Sequence, residues 1–343
     1  MGHVHHSSAL VTLRSLWRAV VPCACAGLVA CGSTEVPPAV TDVYVAGYEG
    51  SAAKVWKNGV ATALTDGTYL AEANSVVVSG SDVYVAGDEF NEWAWVAKVW
   101  KNGVATALSD GATNTYAYSV AVSGSDVYVA GSEFSRVAYT AKVWKNGVAT
   151  ALAEGASLSE TQSVVVSGGD AYVAGAGLSG GSKSVAMLWK NGVAMPITDG
   201  TRQAKAFSVA VSGTDVYVAG EHRSEAGNHV AMLWKNGAAT ALSDGTQSAG
   251  AWSVAVSGSD VYVVGYEGKV AKVWKNGIAT ALSDGTQSAV AYSVAVSGSD
   301  VYVAGTVSNG TYSVPTVWKN GAATPLTDGT RPASAKSIFV HVH

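Results

Sequence analysis

The chain repeats one sentence seven times. "D-[VA]-Y-V-[AV]-G" begins at Asp42, Asp82, Asp126, Asp170, Asp215, Asp260 and Asp300. "W-K-N-G" begins at Trp56, Trp100, Trp144, Trp189, Trp234, Trp274 and Trp318. "S-V-[AV]-V-S-G" begins at Ser75, Ser119, Ser163, Ser208, Ser253 and Ser293, with a degenerate seventh copy from Ser337 to the last residue. The spacing is 40–45 residues. A repeat of this length makes each unit one supersecondary element that must lean on its neighbours to bury its apolar faces.

Four short runs make up each unit: a ("SVAVS"), b ("DVYVAG"), c ("AKVWK") and d ("VATAL"). Asn-Gly between c and d is the signature of a type I′ hairpin turn. Gly followed by Ser, Gly or Thr between a and b suits a type II′ turn. Four runs joined this way form an antiparallel meander. "VYVA" is apolar at every position, so its sheet is covered on both faces. Four-stranded sheets repeated at this period and covered twice are propeller blades. Pro196 and Pro325 fall in run d, which is therefore the outer edge strand, where a missing ladder donor is tolerated. Run a, small and rich in Val and Ala, belongs at the axis. The first unit starts at b, and the chain ends on a lone a. Seven blades then require the C-terminal strand to pair with the first blade and close the ring, which removes an open edge. The expected fold is all-β: a seven-bladed propeller over residues 41–343.

Composition fits this and excludes other classes. Apolar residues make up 48% of the 343, charged residues 13%, and the formal net charge is −4. No basic stripe is present, so no nucleic-acid partner is expected. The first residues stand apart. Arg14 and Arg18 precede an apolar run from Ala19 to Ala30, followed by Cys31. This is the plan of an export signal and is too short for a comfortable membrane span. "LVAC", from Leu28 to Cys31, resembles the lipobox of bacterial lipoproteins. That resemblance implies a signal peptide over residues 1–30, acyl chains on Cys31, and a tether over residues 31–40. The mature chain would keep one of its three Cys and form no internal disulfide. Gly32 in place of Asp leans toward the outer membrane, with the protein periplasmic or surface-exposed. The repeats themselves resemble seven-bladed propellers of bacterial surface proteins, most closely lipoproteins carrying "VWKNG…LTDG", and less closely the YVTN-type propellers. The resemblance implies a fold and a location and no single activity, since such propellers include binding proteins, lactonases and lyases.

Length variation locates the working face. The a–b, c–d and d–a connections are constant, and only b–c varies, from "YEGSAA" at Tyr48 to "EHRSEAGNHVAM" at Glu221. In a meander, b–c and d–a connections emerge on one face and the tight turns on the other. Insertions confined to one face mark a binding face. The residue before run a (Asn74, Tyr118, Gln162, Phe207, Trp252, Tyr292 and Lys336) should ring the channel mouth. The b–c loops add Phe90, Trp93, Trp95, Phe134, Tyr139, His222, His229 and Tyr312. Aromatics among polar groups suit sugar faces or protein side chains. The seven repeat Trp read as inter-blade core, the Asp of "DVY" and the Lys of "WKNG" as turn caps or weak pairs, and Asp66, Asp110, Glu154, Asp199, Asp244, Asp284 and Asp328 as turn residues.

No nucleophile elbow, HExxH, P-loop or CxxC occurs. His222 and His229 share one loop, but no metal or other cofactor is expected. Glu49, Glu89, Glu133 and Glu267 share one loop position, and their spread around a rim argues against a convergent glycosidase pair. The expectation is a monomeric, non-enzymatic envelope lipoprotein that binds a carbohydrate or an envelope or extracellular protein. A hydrolase or lyase at the mouth, and an envelope-assembly scaffold, are the alternatives.

Overall fold

In a computed structural model the described residues are 40–136, 138–152, 158–178 and 183–343. The signal segment, Cys31 and Glu154 lie outside them. Among the described residues there are only strands and turns, arranged as seven four-stranded antiparallel sheets. Six sheets take their strands in chain order; blade 2, for example, runs Ala71–Ser79, Asp82–Phe90, Trp95–Lys101, Val104–Ala107. The seventh closes the ring. C-terminal strand Ala333–Val342 is the inner neighbour of Thr41–Glu49, with Asp42 opposite His341 and Glu49 opposite Ala333. Val40 and His343 add a reciprocal backbone pair at 2.8 and 3.0 Å.

Turn chemistry builds the blades. Every Asn-Gly between strands c and d has both φ values positive, as at Asn58 (51°) and Gly59 (83°), the type I′ pattern. Its Asn also ties c–d to b: Asn58 Oδ1 accepts the Val43 N–H at 2.8 Å and Nδ2 donates to Asp42 Oδ1 at 2.7 Å. Gly at the first a–b turn position has φ near 60°, as a type II′ turn needs. Blade 4 departs: Gly168 (59°) and Gly169 (87°) are both positive, because a second Gly there permits the I′ pattern.

The repeat Trp form the inter-blade core. All seven are at most 2% exposed. Trp100 of blade 2 packs on Ala46 and Ala53 of blade 1, and Trp144 of blade 3 on Ala86 and Ala97 of blade 2. The small Ala of "VAG" and the Ala before "KVW" thus open the slot that the next blade's indole fills. Strand d is exposed at all four positions in every blade, and Pro196 and Pro325 sit on that outer edge.

At the axis, the Ser opening each "SVAV" stitches blade to blade. Ser75 Oγ accepts the Val120 N–H, Ser119 the Val164 N–H, and Ser163 the Val209 N–H. The series continues through Ser208, Ser253 and Ser293 to Ser337, which accepts from Val76. These seven bonds, at 3.1–3.3 Å, form a closed circuit.

Candidate functional site

The mouth is built by a bulge repeated in all seven inner strands. In blade 2, Ala73 faces Gly87 and Ser75 faces Ala86, which leaves Asn74 without a partner. The same register shift leaves Tyr118, Gln162, Phe207, Trp252, Tyr292 and Lys336 unpaired. A bulge bends its strand and re-aims the extra side chain. The Gly of "VYVAG" makes room for it: a Cβ on Gly87 would lie 2.0 Å from the Glu72 carbonyl oxygen, and one on Gly265 1.8 Å from that of Gly250. The Ser after the bulge then pins the strand to its neighbour.

All seven bulge residues line one cavity of about 610 Å³ at the channel mouth. Its walls differ in chemistry. On one side Phe207 stacks on Trp252 (centroids 4.2 Å, planes 23° apart), and Tyr292 meets the indole edge-on at 6.0 Å. On another, Tyr118 lies parallel to Tyr116 at 6.0 Å, and Trp95 approaches Tyr116 at 6.3 Å. Between these walls is a polar sector. Lys336 contacts the Glu72 carboxylate, donates to Asn74 Oδ1 at 3.1 Å, and lies 5.6 Å from the Tyr48 ring centroid. Asn74 Nδ2 donates to Asp88 Oδ1 (3.0 Å) and to the Ala117 carbonyl (3.0 Å), and the Ala117 N–H donates to Asp88 Oδ1 (3.2 Å).

Asp88 is the unusual group. It is 3% exposed, and burial, helped by the nearby Glu72 charge, pushes its carboxyl up to about 7 against the opposing pull of Lys336 and its two donors. Burial likewise raises the Tyr118 phenol, and the Asp88 charge adds to that.

The mouth also gathers residues that the repeat pattern did not single out: Tyr48, Glu72, Asp88, Tyr116 and Ser334. Of the b–c loop set, Trp95 alone reaches the cavity. Phe90 packs on Trp95 (5.9 Å) and Phe134 on Tyr139 (4.7 Å). Trp93 stands out into solvent, 85% exposed, at the tip of a turn capped by Asn91, and Tyr312 sits on a similar turn capped by Asn309. His229 Nδ1 pairs with Glu221 at 2.8 Å, and burial raises the Glu221 carboxyl. His222 is apart from the mouth, beside Arg202 and Met232. Glu49, Glu89, Glu133 and Glu267 each contact a Lys on their own strand c: Lys54, Lys98, Lys142 and Lys272. They are cross-strand ion pairs and do not converge. Among the described residues no three His, Cys, Asp or Glu side chains cluster as metal ligands.

On the opposite face each "DVY" Asp pairs with the Lys of "WKNG" at 2.6–2.8 Å, and each such Lys lies 5.1–5.3 Å from the Tyr ring of its own motif. Asp66, Asp110, Asp199, Asp244, Asp284 and Asp328 accept the N–H two residues on, as turn residues do.

No family model matches the chain, and no curated protein does. Among solved structures, it is similar to a puromycin-hydrolyzing peptidase of Mycobacterium tuberculosis, at TM-score 0.54 and 11% identity over 83% of this chain and 53% of that one. The chain thus spans about half the length of that structure. The likeness is one of fold: the protein is a seven-bladed β-propeller.

Proposed function

We propose that this protein is a non-enzymatic binding propeller of the bacterial cell envelope that holds a carbohydrate in the mouth of its channel. The observation that carries this reading is the single cavity of about 610 Å³ to which all seven blades contribute a bulge residue. Its size lies within the range of small-ligand sites. Aromatic faces on two sides and hydrogen-bonding groups between them match the C–H faces and hydroxyls of a sugar. A protein partner is the weaker fit, because the aromatics gather in a concavity and the connections on that face display separate apolar residues, Leu70, Trp93, Leu158 and Tyr312.

The N-terminal pattern around Cys31 supports a lipid anchor in the outer membrane. Acyl labelling of the full-length protein is expected to disappear in Cys31→Ser. A glycan array probed with the full-length protein tests the binding reading. A hit whose affinity falls about tenfold or more in Trp252→Ala supports it, and a blank array ends it.

A hydrolase acting at the mouth is the second reading. One observation favours it: Asp88, titrating near neutrality, sits close to Glu72, which is engaged by Lys336. Two carboxyl groups in unlike environments are the usual arrangement of an acid and a base. Turnover of the bound sugar that vanishes in both Asp88→Asn and Glu72→Gln would replace the binding reading with this one.

A further inference from the structure

Three charged side chains line the mouth: Glu72, Asp88 and Lys336. Glu72 and Lys336 touch and cancel, and Asn74 and Tyr48 further occupy the Lys336 ammonium. Asp88 is the charge left over. Both hydrogen bonds it accepts fall on Oδ1, and among the described residues no donor reaches Oδ2. Oδ2 is not among the fully buried atoms that lack a partner, so on this residue of the cavity wall it opens to the cavity, where a ligand's donor can reach it. The titratable groups around it are Glu72, which disfavours its ionisation, Lys336, which favours it, and the Tyr116 and Tyr118 phenols. Those two rings also present π faces that attract a cation.

The geometry points to a ligand with a primary ammonium, seated against Oδ2 of Asp88 beside Tyr116 and Tyr118. On the carbohydrate reading, on which this rests, that ligand is an amino sugar whose amine is free. An ammonium brings three donors and the one positive charge the cavity lacks. A hydroxyl brings a donor and leaves the buried charge uncompensated. An acetamido group brings bulk and no charge.

Calorimetric titration of the full-length protein at pH 7 with the glucosamine trimer and with its N-acetylated counterpart decides the point. The free-amine trimer is expected to bind at least about tenfold more tightly. Asp88→Asn, checked for folding by its melting curve, is expected to erase that preference by weakening the free-amine trimer about tenfold. Equal or tighter binding of the N-acetylated trimer by the wild type, which needs no variant, overturns the inference and leaves the mouth a sugar site. So does a preference that survives Asp88→Asn. If neither trimer binds, the sugar reading fails and tryptamine separates the two ideas. Tryptamine binding that Asp88→Asn abolishes keeps the ammonium site, and no binding, or binding indifferent to Asp88, ends it.

Discussion

The two faces of this propeller are repetitive in opposite ways. On the tight-turn face the side chains repeat: seven Asp–Lys–Asn clusters, each with its Lys on a Tyr ring, differ by no more than 0.2 Å in their Asp–Lys distances. On the mouth face the backbone repeats and the side chains do not. Seven identical bulges, each framed by a Gly across the ladder and a Ser behind it, present Asn, Tyr, Gln, Phe, Trp, Tyr and Lys. Once Gly and Ser hold the backbone, the residue between them is released from any structural duty. A ring of seven such positions can vary its side chains without disturbing the fold.

The largest expected effect comes from attacking the backbone repeat. In Gly265→Ala the new Cβ would sit 1.8 Å from the Gly250 carbonyl oxygen, a clash no rotamer can relieve. The bulge must open, and Trp252 loses its aim. Destabilisation of about 4 kcal/mol or more is expected, read by urea unfolding. Gly59→Ala, on the tight-turn face, meets no atom within 4 Å and is strained only by its φ of 83°. A loss of about 1 kcal/mol is expected there. Equal losses at the two positions would remove the bulge from the account.

This contrast also shows what could be read from sequence. The blade, its strand order and the ring closure were legible, because Asn-Gly turns, Pro196 and Pro325 on strand d, and the chain ending on a lone strand a each have one physical interpretation. The ring of seven mouth residues was legible from phase alone. The bulge was not drawn out, although a Gly inside the apolar run "VYVAG" is the usual mark of one. Asp88 and Glu72 were missed for a related reason. Both looked like connection residues, yet they lie in strands Asp82–Phe90 and Ala71–Ser79, which run on into the mouth. The b–c set divides in space: Trp93, on its turn, and His222, within strand Asp215–Arg223, stand outside the cavity, and Trp95 reaches it from a strand terminus.

Acid and base should separate the faces next. Burial raises the Asp88 carboxyl from 3.8 to about 7 on folding. Between those values the native state holds a proton that the unfolded chain releases, so this group makes stability fall as pH rises through the window. The full penalty, about 4 kcal/mol for a shift of this size, is present above pH 7. Asp88→Asn keeps an acceptor for Asn74 and Ala117 and removes the charge. It is expected to be more stable than wild type at pH 8 by about 2–4 kcal/mol and little different at pH 4. A gain that is the same at both pH values would show that Asp88 is not held in the state its surroundings impose.

The smallest effect is expected on the tight-turn face, and its sign is the reverse. Lys235, and then Asn236, hold the Asp215 carboxyl below its usual range. A lowered carboxyl contributes stability above its unfolded pKa and loses it as pH falls through the folded value. Asp215 is solvent-exposed and screened, so its pair with Lys235 counts for little alone. Asp215→Asn at pH 7 should leave the melting temperature almost unchanged. The acid limb of the stability curve, drawn from the seven carboxylates of this face together with Asp66, Glu133, Asp199, Asp244, Asp284 and Asp328, should flatten by less than about one-seventh if the sites act independently. Because each cluster is confined to one blade, with Asp, Lys, Asn and Tyr all contributed by strands b and c and the c–d turn, independence is the physical expectation. A flattening much larger than that share would mean that the blades communicate through the tight-turn face as well as through the serine circuit at the axis.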